Sequence, residues 1–525
     1  MTLARTHSVA LVGVEGHVVE CEADIANGLV GMTLVGLPDT ALREARDRIR
    51  SAIINSGEQW PQRRITVGLS PASLPKRGSG FDLPIACALL AAAGVLQAAA
   101  LAGLAFLGEL GLDGQLRPVR GVLPAVVAAA AAGFGGVVVA RANASEAALV
   151  PGLQVVSAPT LAALLTWLRG GPPDGGAAVE ELTGGTAPVT SPAAPQGPGA
   201  HDDGPAPDLS DVLGQPVARR AAEICAAGGH HLSLLGPPGA GKTMLAERLP
   251  TILPRLDAEA ALEVTSIHSV AGTLPRDCPL LTGPPFFGPH HTATKAAIVG
   301  GGSGVIHPGA ASLAHRGVLF LDEAPEFGRD VLDALRQPLE SGEVVIARSG
   351  ITARFPARFT LVLAANPCPC ARAAASPRSK CSCSPATRRR YLGRLSGPLL
   401  HRVDVKVELL PVGRAELLSD RKFAESSAAV AARVARARDR AAHRFRGTPW
   451  RLNAEVPGAE LRRTFAPVRS AMAPLERAME IGEVSARGID KIVRVSWTLS
   501  DLAGKDRPTI DECGYALGLW LGVVK

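Results

Sequence analysis

Short apolar runs alternate with amphipathic stretches along the first third of the chain. The runs at 8–12, 64–69, 105–110 and 136–140 have the length and the apolar, often valine-rich character of β-strands. Between the first two runs, residues 39–56 repeat apolar positions at a helical spacing. This alternation predicts a domain of the α/β or α+β class.

The longest apolar stretch, residues 85–107, contains almost no polar side chain and has enough residues to span a bilayer. A membrane helix is therefore one interpretation of it. However, Gly94 and Gly103 interrupt the stretch, its alanine-rich half is weakly hydrophobic, and no basic flank follows it. We predict instead an alanine-rich buried helix followed by a core strand, and no membrane partner.

Composition changes abruptly at residues 170–208, where glycine, proline, alanine, serine and threonine dominate and no apolar periodicity remains. Such a segment lacks the apolar surface that folding requires, so we predict a disordered linker. This linker separates a first domain over residues 1–169 from a second part of the chain that begins at residue 209.

The second part starts with the pattern of a nucleotide-binding α/β core. Short hydrophobic strands are predicted at 231–235, 318–321 and 359–364, within a core that we place at 209–410. From residue 411 the pattern becomes helical and charged, which predicts an all-α lid over 411–525. The predicted lid helices cover residues 427–445, 461–479 and 487–502.

The overall composition narrows the class of protein without identifying it. The 525 residues are 47% hydrophobic and 20% charged, which is ordinary globular usage for a chain of several domains. The formal net charge of +7 is compatible with an anionic partner but too small for this length to name one. Glu15 and Glu20 stand where a secretory signal needs an apolar core, so we expect a cytoplasmic protein.

Eight consecutive residues match the complete phosphate-binding loop pattern, directly after a predicted strand and directly before a predicted helix. The glycines allow backbone amides to surround phosphates, and the helix N-terminus adds its dipole. Lys242 is placed to reach the β- and γ-phosphates, and Thr243 to ligate Mg²⁺. The sequence therefore predicts ATP and Mg²⁺ as cofactors. The loop consists of Gly236, Pro237, Pro238, Gly239, Ala240, Gly241, Lys242 and Thr243.

A second motif supplies two acids, because the apolar strand predicted at 318–321 ends on Asp322 and Glu323. Asp322 is predicted to hold Mg²⁺ through water, and Glu323 to polarise the attacking water. Without the upstream loop, a solvent-facing acid pair would be the simpler interpretation. Together the two motifs predict hydrolysis of the nucleotide and not only its binding.

Four of the nine cysteines lie close together, namely Cys368, Cys370, Cys381 and Cys383. Four thiolates complete a closed tetrahedral zinc site, and disulfides are the alternative. Since a cytoplasmic compartment keeps thiols reduced, we predict a structural Zn²⁺ that folds a small insertion after Asn366. Such a site leaves no open coordination position for catalysis.

The order of these motifs resembles the magnesium-chelatase-like branch of the AAA+ ATPases, and the chain outside the linker is similar to the YifB/ComM family. The resemblance implies a P-loop AAA+ core of α/β class with a C-terminal helical lid, preceded by an α+β Lon-protease-like domain. It is carried by sequence blocks at 35–40, 78–84, 289–292, 314–317, 321–323, 337–340, 365–367 and 396–400.

The same resemblance implies roles for three further residues. Asn366 matches the sensor that orients the lytic water, Arg402 matches the arginine finger that reaches a neighbouring subunit, and Arg487 matches the lid's second sensor. A turn-forming asparagine and two surface ion pairs are the plainer alternatives. The family usually has aspartate before the finger and this chain has His401, so the local hydrogen bonding is expected to differ.

The N-terminal domain resembles the proteolytic domain of Lon-type proteases, but both catalytic positions differ. Gly80 stands where the resemblance places the serine, and Pro124 where it places the lysine. A Ser–Lys dyad needs both members, so we expect no peptidase activity although Ser79 and Lys76 lie nearby.

The segment 265–317 is rich in glycine, histidine and proline, and in chelatase-like ATPases such an insertion lines the channel of the ring. Cations and aromatic rings there suit a DNA strand. The candidates for DNA contact are His290, His291 and Lys295, with Arg348 on a hairpin predicted at 342–359. A structural Pro-His-His turn is an equal alternative for the two histidines.

By resemblance, the chain is expected to form a hexameric DNA motor. Such a motor would bind single-stranded or branched DNA and promote branch migration in recombination and natural transformation. Two alternatives stay open. One is a motor for magnesium insertion into a porphyrin, although the sequence has no acidic, proline-rich or metal-ion-adhesion domain of the kind that role uses. The other is an ATP-gated scaffold that does not move DNA.

Overall fold

The computed structural model describes residues 3–36, 40–76, 78–171, 178–185, 207–275, 278–302, 306–348, 351–370, 381 and 383–524. Most of the predicted linker therefore lies outside the described residues. Glu180–Thr183, however, form a strand, so the expectation of disorder throughout 170–208 is wrong at these residues. Their backbone pairs antiparallel with the neighbouring strand, which satisfies hydrogen bonds that composition alone does not reveal.

The N-terminal domain is built on one mixed sheet of eight strands, in the order β10-β9-β8-β5-β1-β2-β4-β3. Parallel and antiparallel neighbours both occur in it, as expected for an α+β domain. The described residues of the domain form ten strands, of which β6 and β7 make a separate two-stranded sheet. The strands are β1 (Leu3–Val12), β2 (Glu15–Ala26), β3 (Gly31–Val35), β4 (Arg64–Ser70), β5 (Leu104–Leu107), β6 (Glu109–Leu110), β7 (Leu116–Arg117), β8 (Gly136–Ala140), β9 (Gln154–Ala158) and β10 (Glu180–Thr183). The helices are α1 (Thr40–Asn55), α2 (Asp82–Ala92), α3 (Ala98–Leu101), α4 (Val122–Ala131), α5 (Ala144–Ala147) and α6 (Leu161–Leu168).

The two ends of the long apolar stretch at 85–107 are buried in the centre of this domain, whereas most residues between 93 and 103 are exposed or half-buried. Helix α2 is buried on nearly every side and packs against β1 and β2, and all four residues of β5 are buried. Among the described residues, no helix is both long and apolar enough to cross a membrane. The prediction of a buried helix followed by a core strand is confirmed.

The second part of the chain contains a five-stranded sheet in the order β12-β13-β16-β11-β17, and all its neighbours are parallel. Parallel strands end at one edge of a sheet, so the segments that follow β11, β13 and β16 meet there. The strands are β11 (Leu232–Leu235), β12 (Phe286–Phe287), β13 (Val318–Leu321), β14 (Glu343–Arg348), β15 (Ile351–Pro356), β16 (Thr360–Ala365) and β17 (Val405–Glu408). The helices are α7 (Pro216–Gly228), α8 (Lys242–Arg248), α9 (Ala258–Ala271), α10 (Lys295–Val299), α11 (Ala310–Leu313), α12 (Arg329–Ala334), α13 (Arg336–Ser341), α14 (Pro385–Leu392) and α15 (Gly397–Leu400).

The C-terminal lid is entirely helical in its described regular structure. The helices predicted at 427–445 and 487–502 are confirmed, but the continuous helix predicted over 461–479 is wrong. Helix α18 ends at Arg463 and α19 begins at Arg469, and between them Phe465 packs in an aromatic cluster with Trp450 and Trp497. The lid helices are α16 (Arg414–Asp420), α17 (Ser427–Arg444), α18 (Gly458–Arg463), α19 (Arg469–Glu480), α20 (Ala486–Ala503) and α21 (Ile510–Leu521).

The N-terminal domain packs directly on the core that contains the five-stranded parallel sheet. Leu11 of β1 contacts a buried apolar cluster that contains Val270 of α9 and Phe355 of β15. Beside this cluster, the buried carboxylate of Glu146 accepts hydrogen bonds from the amide of Leu123 at 2.9 Å and from the hydroxyl of Ser269 on α9. A buried carboxylate that is satisfied from both domains ties the two domains together.

Candidate active site

The loop between β11 and α8 has the backbone geometry that phosphate binding needs. Gly239 and Gly241 have φ angles of 78° and 89°, in the left-handed region that glycine adopts without strain. Helix α8 begins at Lys242, directly after the second of these glycines. The amides of the loop and the first turn of the helix are therefore available to an anion.

The Lys242 side chain is buried at the centre of this loop. Its Nζ donates to the carbonyl oxygens of Gly236 at 2.7 Å and Pro237 at 3.0 Å, and to Oδ1 of Asn366 at 3.0 Å. Burial lowers the pKa of the ammonium, and the two carboxylates of the site oppose that shift. All three acceptors are neutral, so a negatively charged group fits this position.

The two acids predicted from the sequence follow β13, at the edge of the parallel sheet where the phosphate loop also begins. Asp322 Oδ2 accepts a hydrogen bond from Thr243 Oγ1 at 2.8 Å, and its Oδ1 accepts one from the amide of Glu323 at 2.8 Å. The two predicted Mg²⁺ ligands are thus in direct contact, and their oxygens are ligands that Mg²⁺ prefers. Glu323 has a φ of 49°, an uncommon left-handed conformation for a non-glycine residue, and its side chain is exposed.

A histidine that was predicted as a DNA contact lies beside the candidate catalytic acid. Nδ1 of His291 is 3.4 Å from Oε2 of Glu323, and the ring of His290 is 4.1 Å from the ring of His291. Nothing in the spacing along the chain signals this contact, because it depends on the loop after β12 lying against the end of β13. The imidazole therefore contacts the carboxylate of Glu323 and limits the positions that this side chain can take.

Gln215 is a second contact that sequence reasoning missed. Its side-chain amide donates to the carbonyl oxygens of Leu410 at 2.8 Å and Ala240 at 3.3 Å, which joins the phosphate loop to the segment leading to the lid. A cavity of about 460 Å³ lies against Gln215 and is lined by Pro216, Val217, Leu410 and Phe423, among others. The lining also includes Glu408, Glu416, Ser419 and Asp420, and its apolar part suits a planar heterocycle.

The two arginines singled out by resemblance do not bind the phosphate loop of their own chain. Arg402 follows α15, donates from Nη1 to the carbonyl of Pro398 at 2.6 Å and forms an ion pair with Glu340. Arg487 is exposed in the first turn of α20 and makes no hydrogen bond or ion pair with the described residues. His401, which stands where the family usually has aspartate, is exposed.

The four cysteines converge in space. Their sulfurs all lie within 4.8 Å of one another, with 3.0 Å between Cys368 and Cys370 and 3.3 Å between Cys368 and Cys381. A disulfide requires about 2 Å, whereas tetrahedral zinc with Zn–S bonds of about 2.3 Å holds sulfurs about 3.8 Å apart. The cluster is compatible with a structural zinc. Residues 371–380 and 382 lie outside the described part of the chain.

Three of the four DNA candidates lie on the surface. Lys295 opens α10 and is exposed, His290 is exposed and bonds the hydroxyl of Thr292 at 2.9 Å, and Arg348 is exposed at the end of β14. The guanidinium of Arg348 donates to the carbonyl of Gly302 at 2.9 Å. The hairpin predicted at 342–359 is confirmed as β14 and β15, and it leaves these cations accessible.

In the N-terminal domain, the two residues that survive near the lost dyad have other partners. Lys76 is buried and donates to the carbonyl of Pro71, and burial lowers its pKa. Ser79 donates its hydroxyl hydrogen to the carboxylate of Glu109. A serine paired with a carboxylate, with no lysine to receive its proton, has no activated nucleophile, so the loss of peptidase activity stays our prediction.

Comparison with known proteins places the chain among relatives of similar length. Three family models match it: "magnesium chelatase, subunit ChlI" over residues 208–417, "subunit ChlI of Mg-chelatase" over 21–143, and "magnesium chelatase, subunit ChlI C-terminal" over 424–519. It is 52% identical over 517 residues to an uncharacterized protein of Mycobacterium tuberculosis, covering 98% of both chains. It is 41% identical over 520 residues to competence protein ComM of Haemophilus influenzae, covering 99% of this chain and 97% of that protein. It is also 41% identical over 510 residues to uncharacterized protein YifB of Escherichia coli, covering 96% and 94%.

Proposed function

Because the chain belongs to the YifB/ComM family of magnesium-chelatase-like AAA+ ATPases, we propose that it is a ring-forming, ATP-driven motor that acts on DNA. One observation carries the catalytic part of the proposal. The ammonium of Lys242 is buried among neutral oxygens at the edge of the sheet where Asp322 and Asn366 also lie. The DNA part is supported by near full-length similarity to a competence protein.

Water that attacks the terminal phosphorus of ATP at this edge breaks its bond to the bridging oxygen and releases ADP and phosphate, and a bound Mg²⁺ would neutralise part of the phosphate charge. Lys242 and the loop amides bind the phosphates, while Thr243 and Asp322 supply oxygen ligands to the metal. Glu323 accepts a proton from the attacking water. Asn366, which touches Lys242 in the structure, holds that water in place.

The cavity beside Gln215 is the proposed site of the adenine base. Val217, Leu410 and Phe423 supply apolar contacts, and the Gln215 amide links this cavity to the phosphate loop. A base held there places its phosphates next to Lys242. Because Leu410 directly precedes the lid and Phe423 lies within it, base binding also fixes the lid relative to the core.

Arg402 is proposed to act across a subunit interface. Within its own chain it is bound to Glu340 and Pro398 and makes no hydrogen bond to the described loop residues. A finger that serves a neighbouring site requires an oligomer, and a hexameric ring is the arrangement we propose. Arg487 is proposed to sense the nucleotide of its own subunit, since it opens a lid helix and is free of partners among the described residues.

DNA is proposed to contact the surface formed by His290, Lys295 and Arg348. These side chains are exposed and lie outside the loop that holds the phosphates. His291 links this surface to catalysis, because it is adjacent to His290 and contacts Glu323. DNA on one histidine can therefore change the position of the catalytic acid through the other.

The deciding experiment measures ATP turnover by the purified protein without DNA and with single strands, duplexes, forks and four-way junctions at low salt. We expect stimulation by DNA, and ATP-dependent migration of a labelled four-way junction. Glu323→Gln is the matched control, since it keeps the fold and the nucleotide contacts but removes the base. If no DNA stimulates wild-type turnover, the motor is refuted and the ATP-gated scaffold becomes the better description.

Magnesium chelation is the second candidate, because all three matching family models are described by the ChlI subunit of that enzyme. The role requires ATP turnover that responds to a porphyrin-binding partner and not to DNA. The same turnover assay, with a porphyrin-loaded partner subunit in place of DNA, separates the two functions.

A further inference from the structure

One lid helix carries two cations on the same face. Arg487 and Lys491 are four residues apart on α20, so their side chains lie one helical turn from each other. Arg487 is exposed, whereas Lys491 reaches from the lid into the ATPase core. The two side chains thus share one face of α20 but have different surroundings, since Arg487 is exposed and Lys491 contacts the core.

Lys491 makes two contacts in the core, and both are next to the candidate arginine finger. Its Nζ lies 2.8 Å from Oδ1 of Asp404 and donates to the backbone carbonyl of Arg402 at 3.2 Å. The carbonyl and the finger side chain belong to one residue, so this hydrogen bond helps to set the direction in which the guanidinium leaves the backbone.

The position of Lys491 is itself fixed by a buried charge. Asp404 is only 1% exposed, and its other carboxylate oxygen accepts a hydrogen bond from the amide of His231 at 2.9 Å. Burial alone would raise the pKa of Asp404, but the charge of Lys491 and its neighbouring histidines holds it below its usual range. The ionised carboxylate of Asp404 therefore anchors Lys491. Because this carboxylate is shielded from solvent, water does not compete for it.

The finger segment is short and held at both ends. Arg402 follows α15, and Asp404 directly precedes β17, with the Asp404 amide bonded to the carbonyl of His231 at 3.1 Å. The Arg402 side chain is 16% exposed and also contacts Glu340. A shift of α20 therefore moves the carbonyl of Arg402 while the strand end stays in place.

We propose that Lys491 is a positioning residue for the arginine finger and that, through it, the lid of each subunit sets the orientation of the Arg402 that this subunit offers to its neighbour. The inference rests on the proposed function, because it takes Arg402 to act across the subunit interface. Since Arg487 lies one turn away on the same helix, α20 connects the nucleotide state of one subunit with hydrolysis in the next.

Mixed rings test this directly. A finger donor carries Glu323→Gln, so it binds ATP but cannot hydrolyse it, and a finger acceptor carries Arg402→Ala, so it needs its neighbour's finger. Lys491→Met is then added either to the donor or to the acceptor. We expect at least about a tenfold loss of rescued turnover when it is in the donor, because a misplaced catalytic group loses most of its effect. In the acceptor it should change turnover by no more than about twofold.

The placement of the substitution distinguishes the outcomes. Full rescue by the Lys491→Met donor would overturn the inference and leave the trans finger intact. Equal loss in both placements would also overturn it, since Lys491 would then act on the fold or on its own nucleotide site. Absence of rescue in the reference mixture, with assembly confirmed, would refute the trans role of Arg402 and the inference together.

A second readout needs no nucleotide. Hydrogen exchange of the backbone amides at 402–404 should accelerate in Lys491→Met and return towards wild type in Lys491→Arg, which keeps the charge and the donor. Lys505→Met is the matched control, because it removes a lid ion pair, with Glu512, that includes none of the residues 402–404. Unchanged exchange at 402–404 would contradict the proposed restraint.

Lys491→Met leaves the carboxylate of Asp404 buried without its ion-pair partner. That loss alone can destabilise the contact between the lid and the core. The double variant Asp404→Asn, Lys491→Met removes both charges. It should melt closer to wild type than Lys491→Met does, yet still fail as a finger donor, because the hydrogen bond to the Arg402 carbonyl is absent. A double variant that rescues the acceptor fully would overturn the inference.

Discussion

Acidification from about pH 7.5 to about pH 5 should unfold the ATPase core before the N-terminal domain. His230 and His268 are buried in the core and His231 is half-buried, and desolvation lowers the pKa of each to about 4 from 6.5. Between these values the unfolded chain binds more protons than the folded one, so the free energy of unfolding falls as the pH falls. Asp404, whose pKa is also lowered, adds to the loss at still lower pH.

The linkage relation gives the size of the effect. For one histidine with a pKa of about 4 in the folded and about 6.5 in the unfolded state, the loss at pH 5 is about 2 kcal/mol. Three such groups give about 6 kcal/mol as an upper value, which is comparable with the whole stability of a typical domain, about 5–15 kcal/mol.

The N-terminal domain responds in the opposite direction. Burial raises the pKa of Asp82 to about 6, although Arg48 pairs with it at 2.8 Å. The folded domain therefore binds this proton more readily than the unfolded chain, which stabilises it by about 1 kcal/mol at pH 5. Burial also raises the pKa of Glu146, with the same sign.

Urea unfolding at each pH, followed by brief proteolysis and mass spectrometry, reports the two domains of the full chain separately. In His268→Gln, the free energy of unfolding of the core should fall by about 2 kcal/mol less on acidification, since one of the three histidine protonations is absent. His290→Gln is the control, because His290 is exposed on the same core. An unchanged core midpoint at pH 5, or earlier unfolding of the N-terminal domain, would refute the reasoning.

Three further predictions concern the sites. Lys242→Ala should abolish nucleotide binding measured by equilibrium filtration, whereas Glu323→Gln should keep binding and lose turnover; equal loss of binding in both would contradict the assignment. Metal analysis should find about one Zn²⁺ per chain, and Cys381→Ser should remove it and lower the melting temperature, while four freely reactive thiols in a metal-free, equally stable protein would exclude the site. Lys295→Ala should weaken DNA binding, reduce its salt slope by about 0.7–0.9 and leave basal ATPase intact, with Lys505→Ala as the control; joint loss of DNA binding and basal ATPase would make the insertion structural.

Local features of this protein could be read from the sequence alone. The phosphate loop, the strand that ends on Asp322 and the helix α20 each depend on residues that are neighbours along the chain. Backbone conformation and apolar periodicity encode such elements within a few residues, so their type and approximate bounds were predictable. The cysteine pairs could be recognised in the same way, because only one residue separates the two members of each pair.

Contacts between elements were decided only by the tertiary structure. His291 meets Glu323, Gln215 meets the phosphate loop, and Lys491 meets the carbonyl of Arg402 across pairs of elements whose relative placement no spacing encodes. The same holds for Glu180–Thr183, which are a strand because β9 offers them an open edge. Short-range preferences specify what each segment can form, whereas burial and backbone hydrogen bonding across the whole fold select which segments meet.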